Sequence, residues 1–471
     1  MPSEECFVYI TLPGQTEPVT AGRYQLDTGR QGTAVGQFVY GKSYLSRNDR
    51  VEFDPVELKL QVPVFRTTKL RGNFGALRDS SPDAWGRKLI EKRLGNVAPT
   101  EIQYLLNSPD DRAGALGFGL NVEPPAPVRK FNRTLDLAKL IDLADQIVAA
   151  ERDPDAPKPA GADAEQAEAL LNAGTSMGGA RPKATVEDED ALWVAKFSHP
   201  DDRWNNPRVE HAMLTLARSC GISCAESRLT TVGTRDVLLV KRFDRHKTEK
   251  GYLRSRMVSA LTLIDADDSP DSADKRRKWS YLLLADEVRR AATASQTRDL
   301  PELFRRVCFN ALISNTDDHP RNHAIVAKDT AWSLSPAYDL TPNPMIALER
   351  RDLAMAFGDW GRYANRTNLI SQSERFLVSK EEATRIIDGM IETIGASWYA
   401  VARQAGVSER DCELIRSAFV YEGFSYDLND PTIATDRKSF PQREIGCDRR
   451  GRVRNHHPRV TCQTSTGSKK R

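Results

Sequence analysis

Thirteen residues, "SNTDDHPRNHAIV" (314–326), limit what this chain can become more than any other stretch. Two adjacent aspartates, two histidines and two asparagines sit between the apolar "VCFNALI" and the apolar "AIV". Buried polar groups without partners are costly, so a run this polar inside core-forming sequence is either a self-satisfying turn or a site. The flanks set its shape. "LPELFRRVCFNALISN" carries apolar residues at helical spacing, and "HAIV" with "AWSL" reads as a candidate hairpin. The polar run is expected to be a loop held between a core helix and a core strand.

At 471 residues the chain can build two or three domains, or one large bilobed one. With 39% apolar and 28% charged residues it fits a soluble globular protein, and no apolar run approaches the roughly 20 residues that span a bilayer. The acidic start "MPSEECFVYI" lacks the basic, apolar pattern of a signal peptide, and seven cysteines without a CxxC pair argue against a disulfide framework or a zinc ribbon. A cytoplasmic protein with no membrane contact is expected. The net charge of +3 hides an asymmetry: residues 437–471 hold 11 Lys or Arg against 2 acids, a net +9, which leaves the remainder (57 basic, 63 acidic) at −6. That tail, poor in apolar residues and without period, reads as disordered and as a solvated extension more readily than a nucleic-acid contact.

Up to about residue 70, alternating Gly-punctuated segments ("CFVYITL", "GTAVGQFVYG", "VELKLQVPVF") predict short antiparallel strands. "SPDAWGRKLIEKRLG" predicts a helix with Ser81 as cap, Pro82 in its first turn and Gly95 as its stop. A second helical pattern, 135–150, precedes the Pro-, Ala- and Asp-rich "ERDPDAPKPAGADAEQ", a surface linker. Then come the glycine turn "GTSMGGARPKATV", the strand "ALWVAKF", the helix "NPRVEHAMLTLARSCGI" and the buried strand "VLLVKRFDR". After Ala347 the chain is expected to be mainly helical, notably over "EEATRIIDGMIETI" and "ERDCELIRSAFVYEG".

Glycine turn, strand lysine, helix glutamate, apolar strand, then a loop Asp with an Asn: that is the order of a protein kinase. Glycines let backbone N–H groups approach phosphate oxygens, and a helix glutamate holds the lysine that neutralises them. The corresponding residues are Gly178, Gly179, Lys196 and Glu210. Asp317 and Asn322 have the five-residue spacing of a kinase catalytic base and its metal-binding Asn. Asp339 in "SPAYDLTPNP" follows 17 residues later, a second hard-oxygen ligand of the type that suits Mg²⁺. Two features depart from the ordinary kinase pattern: His319 follows Asp317 instead of preceding it, and Leu340-Thr341 replace Phe-Gly after Asp339.

The chain resembles the HipA family of bacterial toxin kinases up to about residue 425. The resemblance is carried in order by "FGALRDSSPDAWGR", "SMGGARPKA", "WVAKF", "VKRFDR", "NTDDHPRNH" and "YDLTP". It implies an α+β, bilobed protein-kinase-like fold: a β-rich N-terminal subdomain (1–125), a kinase N-lobe (126–245), a helical C-lobe (246–430) and the basic tail (431–471). It also implies an ATP- and Mg²⁺-dependent serine/threonine kinase, the toxin of a HipBA-type pair. Its partners would be a HipB-like helix-turn-helix antitoxin, DNA mainly through that antitoxin, and a protein substrate such as an aminoacyl-tRNA synthetase. By the same resemblance Asp317 is the proton acceptor, Asn322 and Asp339 are the metal ligands, and Lys196 is the ATP-phosphate lysine. Gly178, Gly179, Ala180, Arg181, Pro182 and Lys183 form the phosphate loop, and Lys241, Arg242 and Phe243 the hinge that meets adenine. His319 and Tyr338 lie beside the nucleotide, and Ser176 matches the family's autophosphorylated serine.

Plainer readings stand beside these. His323 can simply satisfy a buried turn, Asp318 reads as a loop charge, Trp332 and Phe243 as core, and "RWNNPR" (203–208) as a helix cap. Two rival functions remain open: a non-catalytic kinase-like scaffold holding an antitoxin on operator DNA, and a small-molecule phosphotransferase.

Overall fold

The computed structural model describes residues 4–28, 33–95, 98–127, 132–133, 136–152, 181–199, 201–344 and 347–430. The described residues up to Tyr426 form one compact unit of mixed sheet and helix, and those from Asp427 belong to a second. The predicted tail at 431–471 lies outside the described residues, as does the predicted linker 151–166 except for its first two residues, which end the helix Leu137–Arg152. Among the described residues no helix is long and apolar enough to cross a membrane.

The first sheet runs β4 (Phe65–Thr67), β3 (Ala34–Tyr40), β2 (Pro18–Thr28), β1 (Glu4–Thr11) and β5 (Leu116–Gly119), antiparallel throughout. Alternation puts Val8, Ile10, Tyr24 and Phe38 into its core. "VELKLQVPVF" does not form the expected strand. Buried Asp54 accepts the backbone N–H groups of Val56 (2.8 Å) and Glu57 (2.5 Å), which curls the chain into a turn, and only Phe65–Thr67 pair. Burial pushes the Asp54 carboxyl up to about 6.

The second sheet is ordered β6 (Asn132–Arg133), β7 (Lys183–Glu187), β8 (Leu192–Phe197), β10 (Arg235–Lys241) and β9 (Ser227–Val232). Only the β6–β7 pair is parallel. β10 reads as an unbroken apolar run because both of its faces are covered. Val237 and Leu239 face a core built with Leu89, Ile90, Ile141 and Ile147, whereas Leu238 and Val240 face Ala225 and Tyr338. The helix at Ala84–Arg93 starts two residues later than expected. Asp83, not Ser81, caps it by accepting from the Gly86 N–H at 2.8 Å, and Gly95 ends it at φ +75°.

β11 (Arg245–Thr248) and β12 (Gly251–Arg254) pair as a two-stranded hairpin, and a further sheet joins β13 (Arg256–Ser259), β14 (Ala324–Ala327) and β15 (Ser333–Leu334), so the predicted hairpin after the polar loop exists. Helices Gln296–Leu312 and Lys380–Gln404 build the C-terminal part. The last predicted helix is shorter than its pattern: Glu409–Ile415 gives way to a 3₁₀ turn, and Val420 takes a positive φ to reach the Leu312 carbonyl at 2.8 Å.

One buried charge cluster ties residues 110–114 to the stretch after β10. Asp244, fully buried, accepts from Arg242 (3.0 and 2.8 Å), Arg245 (2.7 Å) and the Gly114 N–H (2.9 Å). The Arg112 and Gly114 carbonyls take up further guanidinium N–H groups at 2.6–3.0 Å. Burial by itself would push the Asp244 carboxyl up, but the two guanidiniums hold it well below the usual range. Replacing Asp244 by Ala leaves two buried cations without their anion and should destabilise the fold by roughly 3–5 kcal/mol. Denaturant unfolding of Asp244→Ala against the parent checks this.

Candidate functional site

β8 brings Lys196 opposite Leu238 of β10, and the helix Asn206–Ser219 turns buried Glu210 towards it. The Lys196 ammonium donates to Glu210 at 2.7 Å and to Asp339 at 2.7 Å. Three segments predicted separately thus meet at one nitrogen. Burial would lower the lysine, yet the two carboxylates raise it above its ordinary value, so it stays charged. Burial likewise would raise Asp339, but Lys196 brings it down to about 2. For Glu210 burial outweighs the lysine and its carboxyl is raised. Asp339 sits at φ +59°, a left-handed conformation that costs a non-glycine residue about 1–3 kcal/mol and that recurs at functional sites.

The polar run 314–323 is held by its own buried half. Asp318 is not the loop charge its sequence suggests: 1% exposed, it accepts from Asn310 Nδ2 (2.6 Å) and lies 2.9 Å from His323 Nε2. Asn315 donates to Asn310 Oδ1 at 3.1 Å. His323 therefore satisfies the buried turn, as its plainer reading has it. With Asp318 pinned inward, its neighbour Asp317 is exposed, and the Asp317 carbonyl accepts the His319 N–H at 2.8 Å. Asn322 leans its amide towards that same carbonyl at 3.4 Å. The loop thus divides its paired aspartates into an anchor and an exposed carboxylate.

Two cavities meet at Lys196, His319, Asn322 and Asp339. One, of ≈100 Å³, runs back to Lys241, Arg242 and Phe243 and is walled by Val194, Val240 and Tyr338. Phe243 and Tyr338 pack ring to ring at 5.6 Å. The Arg242 side chain points away into the Asp244 cluster, and its N–H bonds the Leu192 carbonyl at 2.9 Å. Lys241 pairs with Glu226 at 2.9 Å. The other cavity, of ≈460 Å³, holds Asp317 together with Arg181, Lys183 and Glu210. Arg181 pairs with Asp202 and Lys183 with Asp83, each at 2.6 Å, and the Lys183 pair is buried. Ser176, Gly178, Gly179 and Ala180 lie outside the described residues. Pro182 precedes β7, and its carbonyl accepts the Phe197 N–H at 3.2 Å.

Sequence reasoning missed the contribution of the N-terminal region. Asp79, Ser81 and Asp83 line the smaller cavity. Asp79 also accepts from the Ser259 N–H (2.7 Å), Ser259 Oγ (2.8 Å) and Thr262 Oγ1 (2.7 Å), bracing the end of β13. The available signal was the density of polar residues in "RDSSPD", more than one helix cap requires.

Residues 175–398 match the family model described as the HipA-like C-terminal domain. Among curated proteins, one from Sinorhizobium fredii named "Putative kinase Y4dM" is 27% identical over 44% of this chain and 51% of its own length. A Haemophilus influenzae protein named in the same way is 26% identical over 29% of this chain and 42% of its own. The chain thus spans about half the length of the curated relatives it matches. Its fold superposes, at a TM-score of 0.60, on a chain of the Shewanella oneidensis toxin–antitoxin complex of HipA, HipB and operator DNA. That match has 15% identity and covers 87% of this chain and 94% of the other.

Two outcomes follow from the geometry. In Lys196→Met Asp339 loses the charge that lowers it most and keeps only the weaker pull of His319 and Lys183 against burial, so its carboxyl should titrate above about 2; carboxyl-carbon NMR reads this. A depressed carboxyl stabilises the fold above its unfolded value of about 3.9 and loses that contribution as pH falls towards 2, so the variant should lose this acid-side dependence. Asp318→Ala strips the common partner from Asn310 and His323, at about 1–3 kcal/mol for each group left unpaired, measurable by denaturant unfolding.

Proposed function

We propose that this chain, whose residues 175–398 match the HipA-like C-terminal domain, is a HipA-type, ATP- and Mg²⁺-dependent serine/threonine protein kinase with a bilobed, kinase-like arrangement. The observation that carries the reading is the Lys196 ammonium held between Glu210 and Asp339, in one cavity with an exposed Asp317.

Lys196, its charge secured by two carboxylates, neutralises phosphate oxygens, while Val194, Phe243 and Tyr338 supply an apolar slot for the base. Among the described residues no group of three His, Cys, Asp or Glu could hold a metal alone. The donors present nonetheless fit Mg²⁺: Asp339 is ionised, Asn322 offers a neutral oxygen in the same cavity, and nucleotide phosphates would complete an all-oxygen shell. A bound Mg²⁺ would supply charge neutralisation at the phosphates. Asp317 accepts the acceptor hydroxyl's proton as that oxygen bonds to the γ-phosphorus and the bond from the γ-phosphorus to the bridging oxygen breaks, leaving ADP. Asp318 keeps the loop still while this happens.

The biological reading is a toxin of the HipBA type, restrained by a HipB-like helix-turn-helix antitoxin that brings the complex to DNA, and acting on a host protein. Autophosphorylation at Ser176 and nucleotide contacts from Gly178 to Lys183 belong to the same reading. The −6 charge outside residues 437–471 supports DNA contact through the partner more than through the body of the chain.

Asp317→Asn keeps the shape of the base but not its proton affinity, so phosphoryl transfer should fall roughly 10²–10⁴-fold while ATP binding survives. Labelled ATP in a lysate, with protein identification and a calorimetric ATP titration, reads both. Near-normal transfer by the variant would overturn the assignment.

A further inference from the structure

We propose that the end of the larger cavity away from Lys241–Phe243 is an acceptor site that takes a neutral chain segment whose hydroxyl residue has an apolar neighbour, with Trp204 as its specificity-determining side chain. This rests on the kinase reading above.

In-line transfer sets the attacking oxygen opposite the leaving one. With a base in the slot at Lys241–Phe243 and phosphates at Lys196, the acceptor enters from the other side of Asp317. The larger cavity, which holds Asp317, is also lined by Phe197, Trp204, Pro207 and Asn343. The charges along this end, apart from Asp317, are already matched among the described residues: Arg181 with Asp202, Lys183 with Asp83, Glu210 with Lys196. What the walls still offer is ring and proline surface together with the amides of Asn206 and Asn343. A charged neighbour of the hydroxyl would lose hydration there and find only Asp317 unmatched among the lining charges described, a carboxylate already turned to the reacting hydroxyl, whereas an apolar neighbour would bury surface.

Trp204 comes from "RWNNPR", whose capping role falls to its neighbour: Asn205 Oδ1 accepts the Arg208 N–H at 3.1 Å. Capping therefore does not explain the tryptophan. Its indole N–H is buried and has no acceptor among the described residues, although buried Trp N–H groups normally find one.

The test is a Ser/Thr-centred peptide library with varied neighbours, phosphorylated by the parent, Trp204→Ala and Trp204→Phe with labelled Mg·ATP. Calorimetric ATP binding serves as the control for folding. The parent should prefer apolar over Asp, Glu, Lys or Arg neighbours. Trp204→Ala should raise the acceptor KM about tenfold and flatten that preference, the scale on which an apolar pocket discriminates, with ATP affinity unchanged. Trp204→Phe should restore most of the loss. A parent indifferent to neighbours, or an unchanged acceptor KM in Trp204→Ala, overturns the acceptor assignment and leaves the kinase standing. A parent that transfers phosphate to no peptide and to no lysate protein overturns both. A Trp204→Ala protein that has lost ATP binding as well would make the tryptophan part of the fold and would also overturn the assignment.

Discussion

The side of the slot formed by Ala113, Arg242 and Phe243 depends on one buried carboxylate. Asp244 sits between Arg242 and Arg245 and also takes the Gly114 N–H, so it binds the N-terminal region to the segment leaving β10. Neither arginine could be buried alone, because the desolvation of an unpaired cation exceeds what packing returns. Two guanidiniums on one carboxylate leave a surplus positive charge, and the backbone carbonyls of residues 111, 112 and 114 meet its N–H groups. The result fixes where Ala113 and Phe243 stand, and hence the width of the slot.

A second constraint works through charge. The Lys196 ammonium is shared by a helix carboxylate and a loop carboxylate that are 129 residues apart in the chain, at positions 210 and 339. Each anion alone would leave the other's burial uncompensated. The shared cation lets Asp339 remain ionised in a strained left-handed conformation while Glu210 stays inside. Bound phosphates would compete with both carboxylates for the same nitrogen. The further acceptor wall at Trp204 lies on the same helix entry that delivers Glu210, which would link acceptor contact to the lysine pair through a few residues of rigid chain.

Much of the candidate site was legible because it depends on order and spacing. Asp317, Asn322 and Asp339 could be picked out from five- and seventeen-residue intervals and a hairpin pattern, and the structure does bring them to one cavity with Lys196 and Glu210. The inward-facing partners were not legible. Asp318 and Asp317 are chemically identical neighbours, and only the buried Asn310 and His323 make one an anchor. Lys183, read as a phosphate-loop cation, also pairs with the helix cap Asp83 a hundred residues earlier, a contact that no local pattern shows. The strand expected over "VELKLQVPVF" failed because a single buried Asp54 could gather local N–H groups more cheaply than a sheet edge could.

The sequence by itself determined the local elements and the roles available to each residue. Periodicity set the helices and strands, and the ordered motifs marked a lysine, a glutamate and three loop residues as candidates for one chemistry. Only the tertiary structure decided which charges are committed to holding the fold and which are left to act. That division depends on burial and on partners from distant segments, because an ionised group is stable inside a protein only where an opposite charge or several hydrogen bonds meet it. No local pattern can state whether they do.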